Sequence, residues 1–237
     1  MIISFVQTKG GTGKSTLALN TAFSRRMSKH YKSIALVELD PQGTLNNWWM
    51  EREEEGRASG RVSFHHISST QKQVFQSSIQ TISAHNELII MDIPGESTGK
   101  LHTRFACAVS DTVIIPMRTS TNDELAFQEN LYPIIKKILA VAPKKKHGFV
   151  VLPVFTHPQA KAEKIIDYFI DILPKSIGCL NAVYPTRPVY ENFNREGMNL
   201  KEYAALVKNN KRLALQAKRA LADIETIATA VNNIMET

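Results

Sequence analysis

Cysteine is scarce: Cys107 and Cys179 are the only two in 237 residues, which excludes a disulfide-held scaffold. No apolar run reaches the about 18 residues that a membrane-spanning helix needs. Low-complexity and long polar tracts are missing, which excludes a disordered chain. The first residues, MIISFVQTKGG, have no basic region and no small-residue cleavage site, so no secretory leader is expected. These absences carry the expectation of a cytoplasmic protein. What is present is ordinary for a globular chain, with 43% hydrophobic and 22% charged residues. The net charge of +7 favours polyanionic partners over basic ones.

Short apolar runs alternate with amphipathic stretches. Strands are predicted at 2–6, 33–39, 62–67, 87–93, 112–116, 148–155 and 179–183. Helices are predicted between them, for example at 15–28, 71–83, 124–139 and 160–173. IIMDI and TVIIP are continuous apolar runs, the pattern of strands buried on both faces. The expected fold is an α/β, doubly wound, mostly parallel sheet flanked by helices, with ligands bound at the carboxyl ends of its strands. No internal repeat or linker divides residues 1–237, so one domain is expected, wholly helical from about residue 200.

The first strand runs directly into Lys9-Gly10-Gly11-Thr12-Gly13-Lys14-Ser15-Thr16. Glycines let successive backbone N–H groups turn inward around a phosphate, where side chains would obstruct. Lys14 can reach the β- and γ-phosphates, and the Ser15 hydroxyl can ligate Mg²⁺. A helix opening at Ser15 points its positive end at the anion. Thr8 stands where the usual phosphate loop has its first glycine, so the loop is a variant with an extra lysine, Lys9. Two acids fall at strand ends on the same sheet edge. Asp40 can orient a water toward the γ-phosphate, and Asp92 can hold Mg²⁺ through a water. Either could instead cap a turn.

KGGTGKST resembles the deviant Walker A motif of the ParA/MinD family of ATPases. Val37-Glu38-Leu39-Asp40-Pro41-Gln42-Gly43 is similar to that family's switch I, and Ile89-Ile90-Met91-Asp92-Ile93-Pro94-Gly95 to its Walker B and switch II. The resemblance implies ATP and Mg²⁺ as cofactors. It implies catalytic roles for Lys14, Asp40 and Lys9, with Lys9 reaching across a dimer to the partner's nucleotide. Ser15, Asp92 and Asp40 would make the metal site. Two residues depart from the family pattern. Glu38 stands where the family has an aspartate, and Pro153 where it commonly has an asparagine near the adenine. Base contacts are therefore expected after the last strand, with Pro185 and Arg187.

The C-terminal helix carries Lys208, Lys211, Arg212, Lys218 and Arg219 with no acid between them. At helical spacing they share a sector about 120° wide, opposite Leu206, Leu213, Ala217, Leu221, Ile224 and Val231. Such a stripe fits DNA phosphates read without sequence preference, or is an ordinary solvated face. Lys144, Lys145 and Lys146 add a second basic patch. Residues 220–237 hold Asp223, Glu225 and Glu236 but no Lys or Arg, which opposes a MinD-like membrane-surface switch.

His65 and His66 are adjacent on a strand and point to opposite faces, so both cannot ligate one metal. Trp48 and Trp49 are expected to be packing anchors. Cys179 lies too late in the chain to join Cys107 in an iron–sulfur site.

The family resemblance implies an ATP-dependent DNA partition ATPase. Its ATP-bound homodimer would bind nonspecific DNA, and a ParB-like centromere-binding adaptor would stimulate hydrolysis and release. A positioning or conjugative-transfer factor for other cargo would carry the same motifs. With the loop at residue 9, no helix-turn-helix is expected before it.

Overall fold

The computed structural model describes residues 1–58, 60–95, 100–142 and 148–236. Its strands are β1 (Ile2–Phe5), β2 (Ile34–Glu38), β3 (Val62–His66), β4 (Leu88–Asp92), β5 (Thr112–Met117), β6 (Phe149–Thr156), β7 (Ile177–Cys179) and β8 (Tyr184–Pro185). They form one eight-stranded sheet in the order β3-β2-β4-β1-β5-β6-β7, and β8 pairs the far end of β6. Every pairing is parallel.

The helices are α1 (Lys14–Ala22), α2 (Arg25–His30), α3 (Thr44–Glu54), α4 (Lys72–His85), α5 (Lys100–Val109) and α6 (Thr121–Ala126). They continue with α7 (Tyr132–Val141), α8 (Ala162–Ile172), α9 (Leu200–Leu206) and α10 (Lys211–Glu236). They cover both faces of the sheet. Ile34 and Leu36 of β2 face one core with α1, α2, α3, α9 and α10, and Ala35 and Val37 face the other with α4, α5, α7 and α8. That alternation is why the central strands carry unbroken apolar runs: each residue meets a core on its own side.

Parallel pairing brings the strand ends into one row. Asp92 sits opposite Phe5 on one side and Glu38 on the other, and Glu38 sits opposite His66. The loops leaving β1, β2 and β4 therefore open at a common edge.

Several expected elements divide. The helix expected at 15–28 breaks at Phe23, where Ser24 turns extended and its hydroxyl accepts the Met27 N–H as the α2 cap. That expected at 124–139 begins at Thr121 and passes through a π-helical turn, Phe127–Leu131, just before Pro133. Proline has no N–H to give the preceding turn, and a widened turn accommodates it.

The strand expected at 179–183 is two short ones, β7 and β8; the Leu180 N–H still bonds the Val151 carbonyl at 2.8 Å, and residues 181–183 separate the two. The expected continuous helix from residue 200 is interrupted at 207–210. Lys208 lies in that turn rather than on α10, and Leu206, expected on the buried face, is 66% exposed. The break releases both from the angular register of α10. The patch Lys144 to Lys146 lies outside the described residues.

One contact ties α3 to the segment before α9. Arg52 is 3% exposed and forks onto Glu202 at 2.7 and 2.8 Å, while also donating to the Gly197 carbonyl at 2.8 Å. Its guanidinium lies 4.7 Å from the Phe23 ring centroid. Gly197 has φ +63°, and a Cβ there would meet the Arg52 backbone at 2.3 Å. Backbone cannot yield as a side chain tip can. Gly197→Ala is expected to cost about 3 kcal/mol of stability and lower the melting temperature by roughly 10 °C in a thermal denaturation scan.

Candidate functional site

The phosphate loop is shaped by two left-handed residues, Gly11 (φ +67°) and Gly13 (φ +79°). Gly13 ends the loop and its carbonyl accepts the Leu17 N–H at 2.9 Å, opening α1 with no side-chain cap. The first N–H groups of α1 are thus directed at the loop's cavity, the arrangement that takes an anion. Thr12 is buried and its hydroxyl has no partner. Ser15 and Thr16 stand in the first turn of α1.

Lys14 is buried, and its ammonium donates to the Lys9 carbonyl at 3.3 Å. Burial lowers its pKa, while Asp92 and Asp40 act in the opposite direction. Gly95, after β4, presses against the loop. A Cβ at that position would stand 2.9 Å from the Lys14 Nζ and 3.2 Å from the Gly10 Cα.

Asp92 is the most constrained group of the site. It is 2% exposed and its Oδ1 has no hydrogen-bond partner. Burial pushes its pKa up to about 7, against the stabilising influence of the Ser15 hydroxyl and Lys14. A buried carboxylate oxygen left without a donor, beside a lysine and a serine hydroxyl, fits a hydrated divalent cation. Ser15, Asp92 and the nearby Asp40 are the residues that can surround it. Among the described residues no cluster of three or more His, Cys, Asp or Glu forms a metal cage. Mg²⁺ held with substrate phosphates needs no such cage.

Asp40 lies just beyond β2, half-buried. Its Oδ1 accepts the Gln42 N–H at 2.9 Å and its carbonyl accepts the Gly43 N–H at 3.1 Å, closing a tight turn. Glu38 has a different task. It is fully buried, and its two oxygens accept the N–H groups of Leu45 at 2.9 Å and Asn46 at 2.8 Å. Burial raises its pKa and those N–H groups oppose the rise. Glu38 is thus the N-terminal cap of α3, delivered from a neighbouring strand because Gly43 at the cap position has no side chain. The extra methylene relative to aspartate is spent in reaching that helix.

Lys9 makes an ion pair with Asp123 at 2.5 Å. The lysine is 39% exposed and the aspartate 1%. Asp123 also accepts the Arg118 N–H at 3.2 Å. The Arg118 guanidinium donates to the Gly11 carbonyl at 2.6 Å and lies 4.6 Å from the Phe155 ring centroid. Neither Asp123 nor Arg118 is marked by any sequence motif; only the packing of the β5 end against the loop brings them there.

Pro185 is buried in β8, beside Tyr184, whose ring lies near Gly13. Arg187 is committed elsewhere: its Nε and a terminal nitrogen both donate to Asp223 of α10. The structure thus brings Tyr184, rather than Pro185, against the phosphate loop, while Arg187 joins the loop after β8 to the C-terminal helix.

On α10, Lys211, Arg212, Lys218 and Arg219 are exposed, as is Lys208 before it. Among the described residues none of the five enters an ion pair. Ala217, Ala220, Ile224, Ile227, Ala228 and Val231 are buried on the opposite side. The acids of this helix are engaged elsewhere: Asp223 holds Arg187, and Glu225 accepts the N–H groups of Arg25 and Arg26. No helix among the described residues is long and apolar enough to cross a membrane.

The Asp92 environment has a measurable consequence. A folded-state pKa raised to about 7 means that its stabilising contribution is full below the unfolded value of 3.8 and is lost as pH rises through 7. Asp92→Asn mimics the protonated form at every pH. In urea denaturation of nucleotide-free protein, the substitution should stabilise by up to about 4 kcal/mol at pH 8, with the gain vanishing near pH 4.

A search of curated proteins gave no significant match. Among solved structures, an ATP complex of Cyanothece McdA superposes with a TM-score of 0.67 at 15% identity, covering 98% of this chain and 96% of that one. The MinD cell division protein of Aquifex aeolicus gives 0.63 at 16% identity, covering 98% and 97%. ParA of pNOB8 gives 0.64 at 10% identity, covering 99% and 98%. At such identities these show the shared fold. The CbiA family, described as the CobQ/CobB/MinD/ParA nucleotide binding domain, matches residues 3–236. The chain belongs to this ParA/MinD family of nucleotide-binding proteins.

Proposed function

We propose that the chain is a Mg²⁺-dependent ATPase that partitions DNA, with residues 1–237 acting as one ATPase domain. The observation that carries the reading is the convergence of Lys14, Asp92 and Asp40 on one glycine loop, beside a second lysine that the loop's own phosphates do not need. ATP as the nucleotide is supported by the ATP bound to McdA. Bound Mg²⁺ would neutralise charge on the phosphates, held by Ser15 and Asp92. Gly10, Gly11, Thr12 and Gly13 offer their N–H groups to the phosphates, and Thr16 continues the first helical turn. Lys14 stabilises charge on the transferring group, and Asp40 orients the attacking water. Pro185 borders the base, and Arg187 holds the segment after it against α10.

Lys9 acts across a homodimer formed on ATP binding. In the monomer it is tied to Asp123, so it leaves that partner to reach the second nucleotide. Its 39% exposure leaves a path outward. The ATP-bound dimer binds nonspecific DNA through Lys208, Lys211, Arg212, Lys218 and Arg219. A ParB-like adaptor stimulates hydrolysis, which returns the monomer. The protein is then cytoplasmic and associates with the nucleoid when ATP is bound.

Turnover is the first test. Lys14→Ala should lower ATP hydrolysis by about 100-fold or more, since no neighbour replaces its charge. Asp40→Ala should still bind ATP and fail to hydrolyse it. Hydrolysis unaffected by either change would overturn the assignment. DNA binding is checked by electrophoretic shift at two salt concentrations. Replacing Lys211, Arg212, Lys218 and Arg219 with alanine should weaken binding on all sequences alike. It should also flatten the salt dependence, by about 0.9 in log–log slope for each DNA phosphate that is no longer neutralised.

A further inference from the structure

His66 ends β3, the edge strand of the sheet, and is exposed. Its place is set by pairing with Glu38 and by the Ile67 N–H bonding the Glu38 carbonyl at 2.9 Å. From there its Nε2 lies 3.0 Å from the carbonyl oxygen of Asp40. A carbonyl only accepts, so Nε2 carries the proton and donates. Adjacent His65 points the other way, toward Ser63 at 3.2 Å, and takes no part.

The bond falls on an unusual peptide. The residue after Asp40 is Pro41, which has no N–H. The carbonyl of Asp40 is therefore the only hydrogen-bonding group of the Asp40–Pro41 peptide. It also accepts the Gly43 N–H at 3.1 Å, but that bond lies within the turn and does not fix the turn to the sheet. On the other side of Asp40, the Leu39 N–H is tied to the Asp92 carbonyl at 2.9 Å. His66 supplies the matching tie after Asp40. With both flanks held, the direction in which Asp40 projects its side chain is set by the framework. Since Oδ1 is engaged by the Gln42 N–H, Oδ2 is the oxygen available to a water.

We infer that His66 is a positioning residue for ATP hydrolysis: its Nε2–H bond to the Asp40 carbonyl holds Asp40 at the angle that orients the attacking water. This rests on the reading of Asp40 as the water-orienting residue. Among the described residues no hydrogen bond or ion pair joins His66 to the phosphate loop or Lys14, so its loss should fall on turnover rather than on nucleotide binding. Its exposure means that substitution leaves the core intact.

Phosphate release at saturating ATP and Mg²⁺, with the KM for ATP, compares His66→Phe, His66→Gln and Asp40→Asn with the wild type. His66→Phe keeps the bulk and loses the donor, and kcat should fall about five- to tenfold with KM within about twofold. His66→Gln puts an amide N–H about where Nε2 stands, and kcat should return to within about twofold of wild type. Asp40→Asn should lose turnover. Wild-type kcat in His66→Phe, or a His66→Gln as slow as His66→Phe, would overturn the positioning role while the inactive Asp40→Asn leaves the ATPase reading standing. An Asp40→Asn that turns over normally would overturn the role of Asp40, and that of His66 with it.

Discussion

A carboxylate sealed from water, with one oxygen unpartnered and a buried lysine nearby, is the interaction around which this protein is arranged. Leaving such a group buried is costly, and a sheet does so only where something else gains from it. Asp92 is placed by its strand, which is covered on both faces, so it cannot turn outward to solvent. Lys14 and Ser15 approach it because the loop before α1 bends back through two left-handed glycines. Gly95 then lets the chain beyond Asp92 pass against the same loop. Each feature is local, and together they leave Asp92 Oδ1 without a hydrogen-bond partner beside Lys14 and the phosphate loop.

The turn around Asp40 is built on a different principle, the satisfaction of a helix N-terminus. The α3 helix starts at a glycine with no capping side chain, and Glu38 from the adjoining strand supplies both acceptors. The turn between Glu38 and α3 is thereby pinned at its two ends, with Asp40 in the middle. The middle of α3 carries Trp48, whose indole N–H donates to the Met198 carbonyl at 3.0 Å, and its last turn carries Arg52, bound to Glu202 of α9. One helix thus joins the Asp40 turn to the segment that leads into the basic surface of α10. Arg52 is buried and Glu202 partly exposed, so breaking the pair would strand the buried guanidinium charge.

Much of the nucleotide site was legible in the sequence because its parts are local. A glycine-rich turn followed by Lys-Ser needs no distant residue to be recognised, and Asp40 and Asp92 were marked by standing at the ends of apolar runs. The parallel sheet was legible for a similar reason, since strands buried twice cannot alternate in polarity. Element boundaries were less so. Ser24, Pro133 and the turn at 207–210 each divide a periodic stretch, since a cap or a missing N–H outweighs amphipathic pattern.

By itself the sequence determined the strand–loop–helix at residues 2–22, the order of β and α elements, and the two acids placed at strand ends. Tertiary structure alone decided that Glu38 caps α3, that Asp123 holds Lys9 from 114 positions away, and that Arg187 pairs with Asp223 on α10. It also brought His66 to the Asp40 carbonyl. The contacts of Lys9 and His66 join elements whose proximity follows from sheet order and register, since parallel neighbours are separated in the chain by whole helices, whereas Glu38 reaches only seven and eight residues along the chain and Arg187 meets a helix packed beneath the sheet's last strand. Periodicity encodes which face of an element is buried. The partner waiting at that face is set by the packing of the whole sheet.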